Sequence, residues 1–259
     1  MTEVSIFKQE VREVLENNIL RFWIDRMQDN EHGGFYGRID NNNVLYADAD
    51  KGAILNARIL WTFSAAYRVL GKSEYLKIAT RAKRYFIDHF IDPEYGGVYW
   101  SLDYKGQPKD TKKQFYAIGF AIYGLSEYAR ATNDQEALEQ AINLYRYVEE
   151  HALDKEYNGY IEAMTRNWQP IDDMRLSESM TPTIPSRRTP ICISSSPMPT
   201  STVCGLLKNW KRRYVISLVS LRTAYLILRR IISTSSSRWT GRVGLVSWRV
   251  TDTTSNALG

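Results

Sequence analysis

The chain has 259 residues, of which 44% are hydrophobic, and its formal net charge is +5. This length and apolar content allow one large domain or two ordinary ones with a buried core. The charge is uneven: residues 1–178 hold 28 Asp and Glu and 22 Lys and Arg, whereas residues 179–259 hold one acid, Asp252, and 12 bases. A negative first part has no electrostatic preference for phosphate, and the tail's bases lie in no nucleic-acid-binding motif, so nucleic-acid binding is not expected.

Targeting and cysteine features are also absent from the first part. The residues from Met1 to Glu10 are charged rather than apolar, so no signal peptide is expected. The most apolar stretch of the tail, residues 214–228, contains Arg222 and is shorter than the roughly 20 residues of a membrane span. Both cysteines follow residue 178, so nothing in the first part indicates a disulfide framework or a zinc site. A soluble cytoplasmic protein with no membrane partner is the prediction.

The predicted elements begin with an amphipathic helix over residues 4–27, followed by a repeat. A glycine-containing motif occurs three times, at steps of 63 and 62 residues: Gly33-Gly34-Phe35-Tyr36, Gly96-Gly97-Val98-Tyr99 and Asn158-Gly159-Tyr160-Ile161. The alternating residues around each copy predict a small β-hairpin.

Two helices follow each of the first two hairpins. The predicted ranges are 51–69 and 74–90 in the first repeat, and 112–130 and 135–151 in the second. An apolar side chain recurs every fourth residue in the first of these helices, at Leu55, Ile59, Phe63 and Tyr67. Gly71 is the expected stop of that helix and Ser73 the expected N-cap of the next. A capping-box spacing links Asn133 and Glu136 at the start of the last helix.

A hairpin and two helices that repeat every 62 residues or so predict an α-helical toroid. One such unit cannot bury both of its helix faces, so neighbouring units are expected to stack. A closed ring of six helix pairs at this period requires roughly 380 residues. The predicted toroid is therefore incomplete.

Two side chains are candidates for ligand binding. Arg58 lies about two turns into its helix, on the face that also carries Ile54, Trp61 and Ala65. A guanidinium among apolar neighbours is costly unless it meets a carboxylate or an oxygen-rich ligand, and a salt-bridged or snorkelling arginine is the alternative. Tyr116 begins the equivalent helix of the second repeat and has a packed core ring as its alternative. His32, His89 and His151 are interpreted as structural.

The motifs together resemble the N-acylglucosamine 2-epimerase superfamily, with the cellobiose 2-epimerase branch most similar. The resemblance covers about residues 1–178 and is carried by three segments: Gly33-Gly34-Phe35-Tyr36-Gly37, Lys51-Gly52-Ala53-Ile54-Leu55-Asn56-Ala57-Arg58-Ile59-Leu60-Trp61 and Asp92-Pro93-Glu94-Tyr95-Gly96-Gly97. It implies an all-α fold, an incomplete (α/α)6 barrel with short β-hairpins between helices. It also implies that Arg58 holds the oxygens of the ring-opened sugar and that Tyr116 faces the substrate.

The resemblance implies a reaction as well. One histidine removes the proton at C2 of the reducing-end sugar to give an enediol, and a second histidine returns a proton to the opposite face. No metal or cofactor takes part. The family's catalytic histidines follow Glu178, where this chain has no histidine, so no catalytic residue is expected in the printed sequence.

A shift of reading frame accounts for that loss. In the shifted frame, each codon consists of the last base of one tail codon and the first two bases of the next. Residues 189–205 can then encode Thr-His-Leu-His-Ile-Leu-Glu-Pro-Tyr-Ala-Asn-Leu-Tyr-Arg-Val-Trp. This string resembles an active-site segment of the family that the printed sequence lacks. Residues 1–178 are therefore predicted to be the first part of the barrel. Residues 179–259 are predicted to be an out-of-frame tail with no native domain, and an evolved partner-binding tail is the alternative.

The predicted function is a carbohydrate 2-epimerase that acts on a disaccharide such as cellobiose and is inactive as printed. A glycoside hydrolase on the same barrel is one alternative, but it requires two carboxylic acids across the scissile bond, and no such pair stands out. A non-catalytic sugar-binding helical repeat is the other. The oligomeric state has no signature in the sequence.

Overall fold

A computed structural model describes residues 3–154 and 159–172 of the chain. The predicted out-of-frame tail lies outside the described residues. The first helix consists of α1, a π-helical segment and α2, which confirms the helix predicted over residues 4–27. The later helices form two pairs, α3 with α4 and α5 with α6. The bounds are α1 Glu3–Val14, π-helical Leu15–Leu20, α2 Arg21–Arg26, α3 Ala53–Leu70, α4 Ser73–Tyr85, π-helical Phe86–Phe90, α5 Phe115–Thr132, α6 Gln135–Tyr147 and π-helical Val148–Ala152.

In the described part of the chain nine short strands connect the helices, and all of their pairings are antiparallel. Among the described residues, the strand that leads into each long helix pairs with a strand of the following repeat. Thus β3 precedes α3 and pairs with β4, and β6 precedes α5 and pairs with β9. The bounds are β1 Arg38–Ile39, β2 Leu45–Tyr46, β3 Lys51–Gly52, β4 Ser101–Leu102, β5 Pro108–Asp110, β6 Lys113–Gln114, β7 Leu153–Asp154, β8 Gly159–Tyr160 and β9 Ala163–Met164.

The core lies between two layers of helices. In one layer α3 and α5 pack side by side, and α4 and α6 cover them from the other layer. The predicted apolar face of α3 is confirmed, because Ile59 and Phe63 are buried while Leu55 and Tyr67 pack half-buried against the core. Gly124 permits the close contact of α5 with α3, since a Cβ there would lie 2.6 Å from the Ala57 carbonyl oxygen.

Several predicted helix ends are wrong by one to three residues. Lys72 rather than Ser73 occupies the N-cap of α4, without a side-chain hydrogen bond. Asp134 caps α6 by accepting a hydrogen bond from the Ala137 N–H, and Asn133 is instead the left-handed C-cap of α5. The helix predicted from residue 112 begins only at Phe115, because the two preceding residues pair as β6 with β9.

Gly71 ends α3 in the left-handed conformation, with φ +70°. We expect Gly71→Ala to lower the free energy of unfolding by about 1 kcal/mol through the strain that a Cβ brings at this φ. Steric contact adds nothing, because no heavy atom lies within 4 Å of the position that the Cβ would occupy. Urea unfolding followed by circular dichroism measures the change.

Asn133 provides the matched control for that prediction. It ends α5 in the same conformation, with φ 60°, so Asn133→Gly is expected to leave the stability unchanged or raised by a few tenths of a kcal/mol. An equal loss of stability in both variants would contradict the strain argument.

Candidate functional site

A buried ion pair connects each hairpin to the strand before the next long helix. In the first repeat the Lys51 ammonium donates to Asp29 Oδ2 at 2.6 Å and to the Gly33 carbonyl at 2.7 Å. In the second repeat Lys113 donates to Asp92 Oδ2 at 2.8 Å. All four charged side chains are fully buried. Sequence reasoning missed these pairs, although both the aspartates and the lysines recur at the repeat spacing.

The Asp92 carboxylate accepts more hydrogen bonds than Asp29, its counterpart in the first repeat. Its Oδ1 accepts hydrogen bonds from the backbone of Glu94 and Tyr95, and the Arg166 guanidinium contacts both of its oxygens at 2.9 and 3.1 Å. Burial alone would raise the pKa of this carboxyl, but the hydrogen bonds from Arg166 and Lys113 outweigh it and hold the pKa well below the usual range. Asp92 is therefore an ionised anchor of the hairpin at neutral pH.

These anchors place the first turns of α3 and α5 side by side. Lys51 and Lys113 lie in the strands that run directly into the two helices. The candidate residues Arg58 and Tyr116 follow within two turns, on helices whose starting points are held by the buried pairs. The hairpins thus set the positions of both candidate side chains.

Arg58 is exposed on α3, and its guanidinium carbon lies 5.9 Å from the centre of the Phe120 ring on α5. Among the residues that the structure describes, it forms no ion pair and no hydrogen bond. The alternative of a salt-bridged arginine therefore finds no partner in the described part of the chain. The predicted neighbours Ile54, Trp61 and Ala65 are all half-buried on the same helix.

Four aromatic side chains form a continuous row beside Arg58, which we call the aromatic row. The Tyr116 ring meets the Phe120 ring edge-on at 5.0 Å, and Phe120 meets Tyr123 edge-on at 6.5 Å. Tyr123 then stacks on Trp61 of α3, with centroids 4.9 Å apart and an interplanar angle of 12°. Such a row offers apolar ring faces next to the Arg58 cation.

The electrostatics of the row reflect its partial burial. Burial raises the pKa of the Tyr123 hydroxyl, Glu127 raises it further, and the charge of Arg58 opposes both. The Trp61 Nε1 atom is buried and has no hydrogen-bond partner among the described residues. Glu127 is itself engaged, because Arg68 Nε lies 2.6 Å from its carboxylate. The raised pKa keeps the Tyr123 hydroxyl protonated at physiological pH.

The structure brings the two predicted residues together, since Arg58 and Tyr116 both contact Phe120. Sequence reasoning missed Phe120 and Tyr123. They follow Tyr116 by four and seven residues, which places them on the same helix face. This spacing could have identified them as neighbours of Tyr116.

The histidines lie in packed positions. His89 stacks on Tyr85 at 4.3 Å, His151 stacks on Trp168 at 4.2 Å, and His32 meets Tyr104 edge-on at 5.3 Å. Within residues 3–154 and 159–172, no group of three or more potential ligands is placed to hold a metal ion. No helix in the same ranges is both long and apolar enough to cross a membrane.

Comparison with known proteins agrees with this architecture. The sequence model of the N-acylglucosamine 2-epimerase (GlcNAc 2-epimerase) family matches residues 34–183. Cellobiose 2-epimerase of Bacteroides fragilis is 63% identical over 174 residues, which cover 67% of this chain and 44% of that protein. Cellobiose 2-epimerase of Ruminococcus albus is 47% identical over 170 residues, covering 66% of this chain and 43% of that protein. The solved cellobiose 2-epimerase of Bacillus thermoamylovorans has a TM-score of 0.65 and 44% identity, covering 67% of this chain and 45% of that one.

The layered helix pairs and their short strand pairs are those of an incomplete (α/α)6 barrel, which confirms the predicted fold class. The chain belongs to the N-acylglucosamine 2-epimerase family. It spans less than half the length of the two curated relatives described above.

Proposed function

We propose that the chain carries the sugar-binding part of a carbohydrate 2-epimerase that acts on the reducing end of a β-1,4-linked disaccharide such as cellobiose. The observation that carries the proposal is the Arg58 guanidinium, which is exposed beside the aromatic row and has no ion-pair or hydrogen-bond partner among the described residues. Membership of the epimerase family and similarity to two cellobiose 2-epimerases support the same reaction.

Arg58 suits the binding of a ring-opened sugar. A guanidinium is planar, carries a positive charge and presents five N–H donors. Removal of the C2 proton spreads negative charge onto O1, the aldehyde oxygen of the ring-opened sugar, and a fixed cation beside this oxygen stabilises that charge. In this proposal the Tyr116 hydroxyl hydrogen-bonds the same sugar, and the apolar ring faces of the row pack against its C–H surfaces.

Proton transfer requires residues other than these. The epimerisation that we propose uses two histidines on opposite faces of C2, one as base and one as acid. His89 and His151 are both stacked in packed positions beside hairpins, and neither belongs to the Arg58 face. No histidine follows His151 in the printed sequence, so we expect the chain as printed to bind the sugar without converting it to the epimer.

The test follows cellobiose in D2O by NMR, with two proteins. One is the chain as printed, and the other is the frame-restored protein, in which the alternative reading frame after Glu178 replaces the printed tail. We expect the frame-restored protein to form the mannose-ended disaccharide with deuterium at C2, and the printed chain to form none. Sequencing of the gene across Leu176 to Thr181 establishes which frame the organism encodes.

Other outcomes of this experiment would support one of the two alternative functions. Release of glucose without deuterium at C2 would indicate a glycoside hydrolase. Glu127, one turn beyond Tyr123, is buried and paired with Arg68, so it is not available as one of the two acids that this chemistry requires. Saturable binding without exchange by the frame-restored protein would indicate a non-catalytic sugar-binding repeat.

A further inference from the structure

We propose that Phe120 is a positioning residue, which holds the Arg58 guanidinium in place for the substrate while leaving its N–H donors free. This inference rests on the proposed function, because it concerns the same sugar site. The Phe120 side chain carries no polar group, so it acts on the substrate only through Arg58.

The contact has the geometry of a cation–π interaction. The guanidinium carbon lies 5.9 Å from the ring centroid, inside the limit of about 6 Å for this attraction. The partner ring lies on α5 and Arg58 on α3, so the contact joins the two helices that carry the site. An arginine side chain has many rotamers, and contact with a fixed surface reduces the number that it samples.

An aromatic partner differs from a carboxylate in what it leaves available. A carboxylate occupies the forked N–H donors of an arginine, as Asp92 does with Arg166, where two donors are used at 2.9 and 3.1 Å. A ring face takes up none of the in-plane N–H directions. Arg58 can therefore be held by Phe120 and still direct its donors toward sugar oxygens.

The Phe120 ring is itself held on both sides. Tyr116 contacts it edge-on with an interplanar angle of 84° and Tyr123 with 82°, and Tyr123 is stacked in turn on Trp61. The ring therefore has a defined orientation before any ligand binds. Because Tyr116 and Arg58 share this one ring, the aromatic row also fixes the two candidate sugar-binding groups relative to each other.

The first experiment observes Arg58 directly in the full printed chain. The Nε–Hε signal of Arg58 in an ¹⁵N-labelled protein, assigned by its loss in Arg58→Met, reports the ring current of Phe120. We expect Phe120→Leu to shift this signal and Phe120→Tyr, which keeps the ring, to leave it in place. Phe63→Leu makes the same chemical change in the buried core of α3 and is the matched control, with no shift expected. If Phe120→Leu does not fold, as judged by circular dichroism, Phe120→Met removes the ring and replaces it with an unbranched side chain that adapts to an irregular space.

The second experiment measures binding of cellobiose by calorimetry. We expect Phe120→Leu to weaken binding about threefold to fivefold, the effect of losing one exposed cation–π contact, and Phe120→Tyr to restore it. An Arg58 signal that stays unchanged in Phe120→Leu and Phe120→Met would overturn the positioning role. If instead the signal shifts but Arg58→Met binds cellobiose as well as the parent does, the positioning role stands and the proposed sugar site is wrong.

Discussion

Replacing Arg58 by methionine is expected to slow the epimerisation of cellobiose by the frame-restored protein at least about 100-fold, the effect of removing one preorganised group that stabilises an oxyanion. Methionine keeps the unbranched stem and its packing beside Phe120 but removes the charge and all five donors. Because the charge on O1 develops mainly in the transition state, the loss should fall on kcat more than on KM. Steady-state rates and deuterium incorporation at C2 measure both parameters.

Two further variants control for that result. Arg58→Lys keeps the charge but loses the planar fork, so its rate should lie between those of the parent and Arg58→Met. Arg84→Met removes an exposed arginine from α4, in the other helix layer, and should leave the rate unchanged. If Arg58→Met and Arg84→Met have equal rates, Arg58 does not bind the reacting sugar.

Replacing Asp92 by asparagine is expected to lower the free energy of unfolding by about 3–5 kcal/mol at pH 7, because Lys113 would then be a buried charge without its counter-ion. The amide would also weaken both contacts with Arg166. Asp50→Asn is the matched control, since the ion pair of Asp50 with Lys109 is exposed on both sides and should contribute less than about 1 kcal/mol. Urea unfolding of the printed chain and its variants gives the comparison.

The loss of stability in Asp92→Asn should depend on pH in a defined direction. The folded protein holds the pKa of the Asp92 carboxyl far below its unfolded value of about 3.9. Ionised Asp92 therefore contributes its full stability above pH 4 or so, and that contribution is lost as the pH falls toward the folded pKa. The stability gap between the parent and Asp92→Asn should narrow between pH 5 and pH 2. A gap that stays constant over this range would show that Asp92 does not act through its charge.

Much of the helical architecture could be predicted because it depends on local pattern. The apolar residues from Leu55 to Tyr67 recur with the helical period, and the structure confirms that face. The start of α5 could not be predicted in the same way. Lys113 and Gln114 are compatible with a helix, but they pair with Ala163 and Met164, and a contact so distant in sequence overrides local preference.

The residues of the candidate site also differ in whether the sequence could predict them. Arg58 was identifiable because a charge on a mostly apolar helix face requires an explanation. Phe120 was not, since a phenylalanine among apolar neighbours is normally a core residue, and its contact with Arg58 depends on how closely α3 and α5 approach at Gly124. The buried pairs of Lys51 and Lys113 were missed because lysine is seldom expected in a protein interior.

The pairing of each leading strand with the next repeat also bears on synthesis of the protein. Lys51 pairs with Leu102 and Lys113 pairs with Met164. Each pairing residue is therefore synthesised 51 residues after the leading strand to which it binds. At about 5–20 residues per second, that interval lasts roughly 3–10 seconds. During this time the newest long helix lacks the strand that pairs with its leading strand. Nascent chains of this protein are therefore expected to present one unfinished repeat at a time to chaperones and proteases, immediately behind the point of translation.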